Sequence, residues 1–195
     1  MCSEPPSASS SSGIGAEYDL LIFPDMVRYN RVTEEDLARI VQDHVARGEL
    51  CSGLSTEKLS GSYVFVCTHG TRDARCGVCG TRVLNAFNEV MNSSPELAQL
   101  RGKIVVRATS CIGSHKYAAN VIIYNSKGSN KCFGDLYGYV QPSDAERLVT
   151  GHIMKEQIQK DIWRGRMGLS KEMQVKLLKF VSTSSSAPDN LSLDE

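Results

Sequence analysis

The chain has 195 residues, 41% of them hydrophobic and 23% charged, which is enough apolar material for one domain with extensions or two small ones. Lys+Arg and Asp+Glu both number 22, so there is no overall basic field of the kind that draws nucleic acid or an anionic membrane. No apolar run reaches the roughly 18 residues of a membrane span, and the start has neither a basic nor an apolar signal region, so the expected location is cytoplasmic.

The segments 1–17 and 182–195 are rich in Ser and Pro and are expected to be disordered tails around one domain at 18–181. No internal repeat is visible. Asp19–Phe23 reads as a short strand. Thr33 offers an N-cap with Asp36 three residues on, and Leu37, Ile40, Val41 and Val45 fall on one helical face. Tyr63–Val66 is a second strand. Val83, Leu84, Phe87, Val90 and Met91 then form a second amphipathic helix, with Pro95 just beyond its expected end.

Lys103–Arg107 is a third strand and Asn120–Tyr124 a fourth, followed by a turn through Asn125–Asn130. Leu136–Val140 reads as a fifth strand, hairpinned with the fourth. Ser143 caps a last helix, with Glu146 completing the capping box and Val149, Ile153 and Ile162 on its apolar stripe. A β-α-β unit followed by a hairpin and a helix is an α/β thioredoxin-like arrangement, a central mixed sheet flanked by helices, and the alternation alone also fits other α/β folds.

Seven cysteines occur, an odd number without a signal peptide, which points to metal or redox chemistry rather than disulfides. Cys67 ends a strand, and Cys76 and Cys79 lie at a helix start, where thiolates are favoured. Cys111 and His115 follow another strand. Two thiolates from one loop with a thiolate and an imidazole from the other suit zinc or an iron–sulfur cluster. Cys76-Gly-Val-Cys79 also reads as a thioredoxin-type dithiol.

The stretch from Cys67 to Cys76, with THGTRDARCG inside it, resembles the sucrase/ferredoxin-like family of thioredoxin-like ferredoxins, which includes the fungal actin-patches-distal proteins. FPDMVRY (23–29), GSHKYAANVIIY (113–124), YGYVQP (137–142) and IWRGRMGLS (162–170) carry the same resemblance, which spans about residues 18–175. It implies a [2Fe–2S] cluster held by Cys67, Cys76, Cys111 and His115. Cys111 stands where the family often has His, so the implied site is Cys3His. Its charge, roughly −1 oxidised and −2 reduced, predicts a lower reduction potential than a Cys2His2 site.

The expected function is a one-electron carrier or redox sensor, proton-coupled through the His ligand, with a redox partner protein and no substrate of its own. A dithiol oxidoreductase on Cys76 and Cys79 and a structural zinc module are the alternatives. Cys79 has three readings: packed and inert, a spare ligand, or half of a dithiol. His69 can bond a cluster sulfur or fix its own turn. Arg72, Asp73 and Arg75 can form an ion pair that fixes the loop, and Trp163 and Arg164 can cover the site or lie in the core. His44 and His152 read as satisfied helix residues, while Cys2, Cys51 and Cys132 have no partner set.

Overall fold

A computed structural model of the chain describes residues 16–126 and 132–183. Most of the expected turn at 125–130 and nearly all of both expected tails lie outside the described residues. The described residues divide into two compact units. Among them no helix is long and apolar enough to cross a membrane.

The larger unit holds a five-stranded sheet in the order β5 (Ile104–Thr109), β4 (Ser62–Cys67), β6 (Val121–Asn125), β7 (Phe133–Tyr137), β8 (Trp163–Arg166). β4 and β5 are parallel, while β4/β6, β6/β7 and β7/β8 are antiparallel. The crossover between β4 and β5 is α2, a π-helical turn at Cys76–Gly80 that runs into Thr81–Ser93, followed by the short α3 (Pro95–Ala98). This connectivity is the thioredoxin-like arrangement expected from the sequence.

β4 and β6 are apolar runs because both faces of the sheet are covered. Val64, Val66, Val121 and Ile123 meet the buried face of α2, where Val83 and Phe87 are fully enclosed. Each such side chain contributes about 1.5–3 kcal/mol by leaving water. Tyr63, Phe65, Ile122 and Tyr124 lie in a second cluster that Phe23 completes with ring centroids 4.6–5.2 Å away.

β7 starts three residues before the expected strand, because Asp135 is tolerated there. Its carboxylate is buried but accepts from Trp163 Nε1 at 2.8 Å and pairs with Arg166 at 2.9 Å. α4 (Asp144–Arg147) continues as a π-helical stretch through Leu148–Ile153 and does not reach Ile162. The chain turns at Glu156, whose φ is +59°, so Ile162 is buried at the entry to β8 instead of on a helix stripe. A last helix, α5 (Lys171–Thr183), was not anticipated.

The smaller unit is a three-stranded antiparallel sheet, β1 (Tyr18–Ile22), β2 (Val27–Val32), β3 (Thr56–Lys58), with α1 (Glu34–Ile40) running on π-helically through Val41–Ala46. The capping box at Thr33 and Asp36 is formed as the spacing predicts. The expected apolar face is not a core face, since Ile40 is buried but Leu37, Val41 and Val45 are exposed.

Contrary to the sequence reading, the chain contains an internal repeat. At a constant offset, Tyr29, Val32, Asp36, Arg39, Val41 and His44 match Tyr137, Val140, Asp144, Arg147, Val149 and His152. The Tyr29 hydroxyl is bonded to His44 Nδ1 at 2.9 Å, and that of Tyr137 to His152 Nδ1 at 3.0 Å. Tyr29 accepts the amide of Cys51, and Tyr137 accepts that of Gln159. Arg39 reaches Cys51 Sγ at 3.6 Å, and Arg147 reaches Gln159 Oε1 at 3.4 Å. Asp36 and Asp144 each accept the amide three residues back, at 3.1 and 2.7 Å. Even the left-handed residues coincide, Arg31 at φ +55° and Tyr139 at φ +58°. Val27↔Lys58 in the first sheet answers Asp135↔Arg166 in the second. The β1-β2-α1-β3 unit is thus a second copy of β6-β7-α4-β8.

Candidate metal centre

Cys67 is the last residue of β4, and its N–H donates to Asn120 O at 3.0 Å. The chain then loops back so tightly that a Cβ on Gly80 would collide with the Cys67 carbonyl oxygen. A Cβ on Gly77 would come within 2.7 Å of Gly70 Cα. Glycine at both positions lets the start of α2 press against the end of β4, which carries Cys76 to Cys67. Within the loop, Asp73 accepts the Arg75 amide at 2.9 Å and pairs with its guanidinium at 2.8 Å. That contact holds the Asp73 carboxyl down at about 2 and is the loop-fixing pair the sequence suggested.

The second loop follows β5, which is parallel to β4, so both loops leave the same edge of the sheet. Thr68 N–H donates to Thr109 O at 3.1 Å, and Cys111 N–H donates to His69 Nδ1 at 3.3 Å. Asn120 ties the second loop from behind, its side-chain amide donating to Ser114 O at 3.1 Å and Gly113 O at 3.5 Å. Ser114 takes a left-handed φ of +54° and Gly113 one of +85°, which turns the chain so that His115 follows at once. His69 thus fixes one loop to the other, and Asn120 was not singled out in the sequence. The signal available for it was a polar residue at the head of the apolar run VIIY.

Cys67 and Cys76 are fully buried, while Cys79, Cys111 and His115 are half-buried. The Cys76 thiol is pushed up to about 11, first by burial, then by its hydrogen bond to Cys67 and by the charges of Cys67, Asp73 and Cys111. Cys76 therefore feels both Cys67 and Cys111. His115 lies close enough to Asp73 to lower its pKa, and among the described residues His115 Nδ1 is buried with no hydrogen-bond partner. Among the described residues, no three His, Cys, Asp or Glu side chains converge as a single ion would require.

Cys79 packs against the main core, consistent with the inert reading. Cys51 and Cys132 are buried in other clusters, and Cys2 lies outside the described residues. Trp163 is a core residue, while Arg164 stacks 3.8 Å over the Tyr117 ring. His44 and His152 are buried and each is bonded to a tyrosine through Nδ1, while His152 Nε2 lies 3.6 Å from Asp135 Oδ2.

The family model described as sucrase/ferredoxin-like matches residues 3–165. Among curated proteins, the chain is 30% identical over 166 residues to Altered inheritance of mitochondria protein 32 of Candida glabrata, covering 68% of this chain and 50% of that one. It is 25% identical over 151 residues to Actin patches distal protein 1 of Saccharomyces cerevisiae, covering 69% of this chain and 48% of that one. The chain spans about half the length, or less, of the curated relatives it matches. Among solved structures it is similar to a thioredoxin-like [2Fe–2S] ferredoxin from Aquifex aeolicus, at 20% identity and TM-score 0.46, covering 57% of this chain and 97% of that one.

Proposed function

Because the chain belongs to the sucrase/ferredoxin-like family, we propose that it binds one [2Fe–2S] cluster through Cys67, Cys76, Cys111 and His115 and works as a one-electron carrier or redox sensor. The observation that carries this reading is the unpartnered, buried His115 Nδ1 on a loop tied to the Cys67–Cys76 loop. A buried imidazole nitrogen without a partner costs free energy that a metal bond would recover.

Three thiolates and an imidazole suit zinc as well as an iron–sulfur cluster, and the family resemblance is what favours the cluster. The dithiol reading fares worse, because a reactive cysteine has a lowered pKa and an exposed sulfur. Cys76 is buried and held high.

When bound, the cluster supplies reversible one-electron chemistry. The chain's residues do the rest. Burial of Cys67 and Cys76 excludes water from the thiolates, and the Asp73–Arg75 pair fixes their loop. His115 would hold the group through Nδ1, and its Nε2 would lose its proton in the oxidised state at high pH and regain it as negative charge accumulates beside it. In that pH window electron uptake would be coupled to proton uptake, with a redox protein rather than a small substrate as the counterpart.

Anaerobically purified protein, analysed for iron and by visible absorption, tests the assignment. Two irons per chain with thiolate-to-iron bands, lost in Cys67→Ala, are expected. Colourless protein with one zinc, or with thiol–disulfide turnover that requires Cys79, would overturn it.

A further inference from the structure

The strand registers bring both expected ligand loops and the start of β8 to one edge of the larger sheet. β4 and β5 end there side by side, Val66 lies across from Val121 at the start of β6, Val121 from Tyr137 at the end of β7, and Tyr137 from Trp163. Four cations stand on this edge, Arg72, Arg82, Lys116 and Arg164. All are exposed, and none has a salt bridge among the described residues. The one carboxylate in the two loops, Asp73, is already engaged by Arg75. Asp161, just before β8, is paired with Arg147, as is Asp144. On a chain of zero formal net charge, the positive excess is therefore local.

Among these cations lie apolar side chains that the fold leaves uncovered. Val78, between Cys76 and Cys79, is 54% exposed, and Tyr139 is 53% exposed. Tyr139 sits at φ +58°, a left-handed backbone that an aromatic residue rarely takes. Its ring meets that of Tyr117 edge-on at 5.3 Å. Tyr117 follows His115 closely in the chain and is itself held in place. The Arg164 guanidinium stacks 3.8 Å from its ring centre, and Lys116 Nζ lies 4.8 Å from it. Two rings and two cations are thus ordered before any contact is made, which lowers the entropy cost of binding.

We propose that this edge docks an acidic electron-transfer protein, whose carboxylates meet Arg72, Arg82, Lys116 and Arg164 around an apolar contact at Val78 and Tyr139. The inference rests on the cluster reading above and gives its partner a chemistry. An apolar centre inside a charged rim is the anatomy of a protein interface, and Tyr and Arg are among the residues that contribute most there. The ligand set does not cancel the field, since its charge is roughly −1 oxidised and −2 reduced against the four cations. Opposite charge steers the encounter and speeds association, which suits a short-lived complex that parts after one electron has passed. RNA draws its affinity from a broad basic field, and the zero net charge of the chain disfavours it.

Fluorescence anisotropy of dye-labelled flavodoxin, an acidic flavin protein, titrated with the full chain tests the docking. Binding at low salt is expected, weakening about tenfold as NaCl rises from about 20 to about 200 mM. In the double variant Lys116→Gln/Arg164→Gln the low-salt affinity should fall about fivefold and its salt dependence should flatten. In Tyr139→Ala the affinity should fall by a similar factor, about fivefold, with the salt dependence unchanged. All three positions are exposed, so unchanged far-UV circular dichroism is expected of both variants. The titration needs no cluster, and iron content measured on the same samples reports on the cluster reading separately. An iron-loaded chain that does not bind at low salt would overturn the docking surface alone, whereas a colourless chain that binds with the expected salt dependence would overturn only the cluster. Affinity insensitive to salt or to the double variant, or tighter binding of a short single-stranded RNA than of flavodoxin, would also overturn the docking surface.

Discussion

The backbone N–H of Cys111 donates to the ring Nδ1 of His69 across 3.3 Å, joining two loops that are 42 residues apart in the chain. This bond fixes the tautomer of His69, because the accepting nitrogen must be unprotonated. His69 therefore acts as a clasp between the two proposed ligand loops.

Removing the clasp should loosen the site without unfolding the sheet. A hydrogen bond of this kind is worth about 1 kcal/mol, so His69→Ala should bleach about fivefold faster than the wild type when challenged with an iron chelator. Asn120→Ala should do more, because it strips the amide donor from both Gly113 O and Ser114 O. Parallel bleaching traces on the two variants check the order.

Charge sets the potential. Replacing the thiolate of Cys111 by a neutral imidazole makes the site less negative in both oxidation states. Cys111→His should raise the midpoint potential, measured by spectroelectrochemical titration, and a fall would contradict the charge argument.

On the proposed ligand set, proton coupling would reside on His115. The midpoint potential should fall with rising pH by up to about 59 mV per unit between the two pKa values of its free nitrogen. In His115→Cys that nitrogen is gone, and the slope from this residue should vanish.

Asp73 gives a separate pH test. Its folded pKa, about 2, lies below its ordinary value of 3.8. The pair with Arg75 thus favours the folded loop above about pH 4, and that contribution is lost as the pH falls toward 2. Carboxyl chemical shifts followed by NMR should show a midpoint near 2, returning toward 3.8 in Arg75→Gln.

The order of the strands around the proposed ligand loops was legible because β4 and β6 are short apolar runs, and the loop from Cys67 to Cys76 begins where one such run stops. The clasp was not legible, since His69 bonds a backbone amide and no spacing announces that. The helix face of Leu37, Val41 and Val45 has proper amphipathic spacing, yet periodicity says only that a row is apolar, not what lies against it. The repeat was hidden because it is preserved mainly in bonds. Tyr29 with His44 and Tyr137 with His152 are conspicuous only once both hydroxyls are seen on both rings. Cys51 and Gln159 fill matching places with unrelated side chains.

The most direct test of the proposed centre is electron–nuclear double resonance on the reduced chain grown with ¹⁵N-histidine. One strongly coupled nitrogen is expected, absent in His115→Cys while the iron content stays at two per chain. A reduced centre with no nitrogen coupling, or a coupling that persists in His115→Cys, would contradict the ligand set.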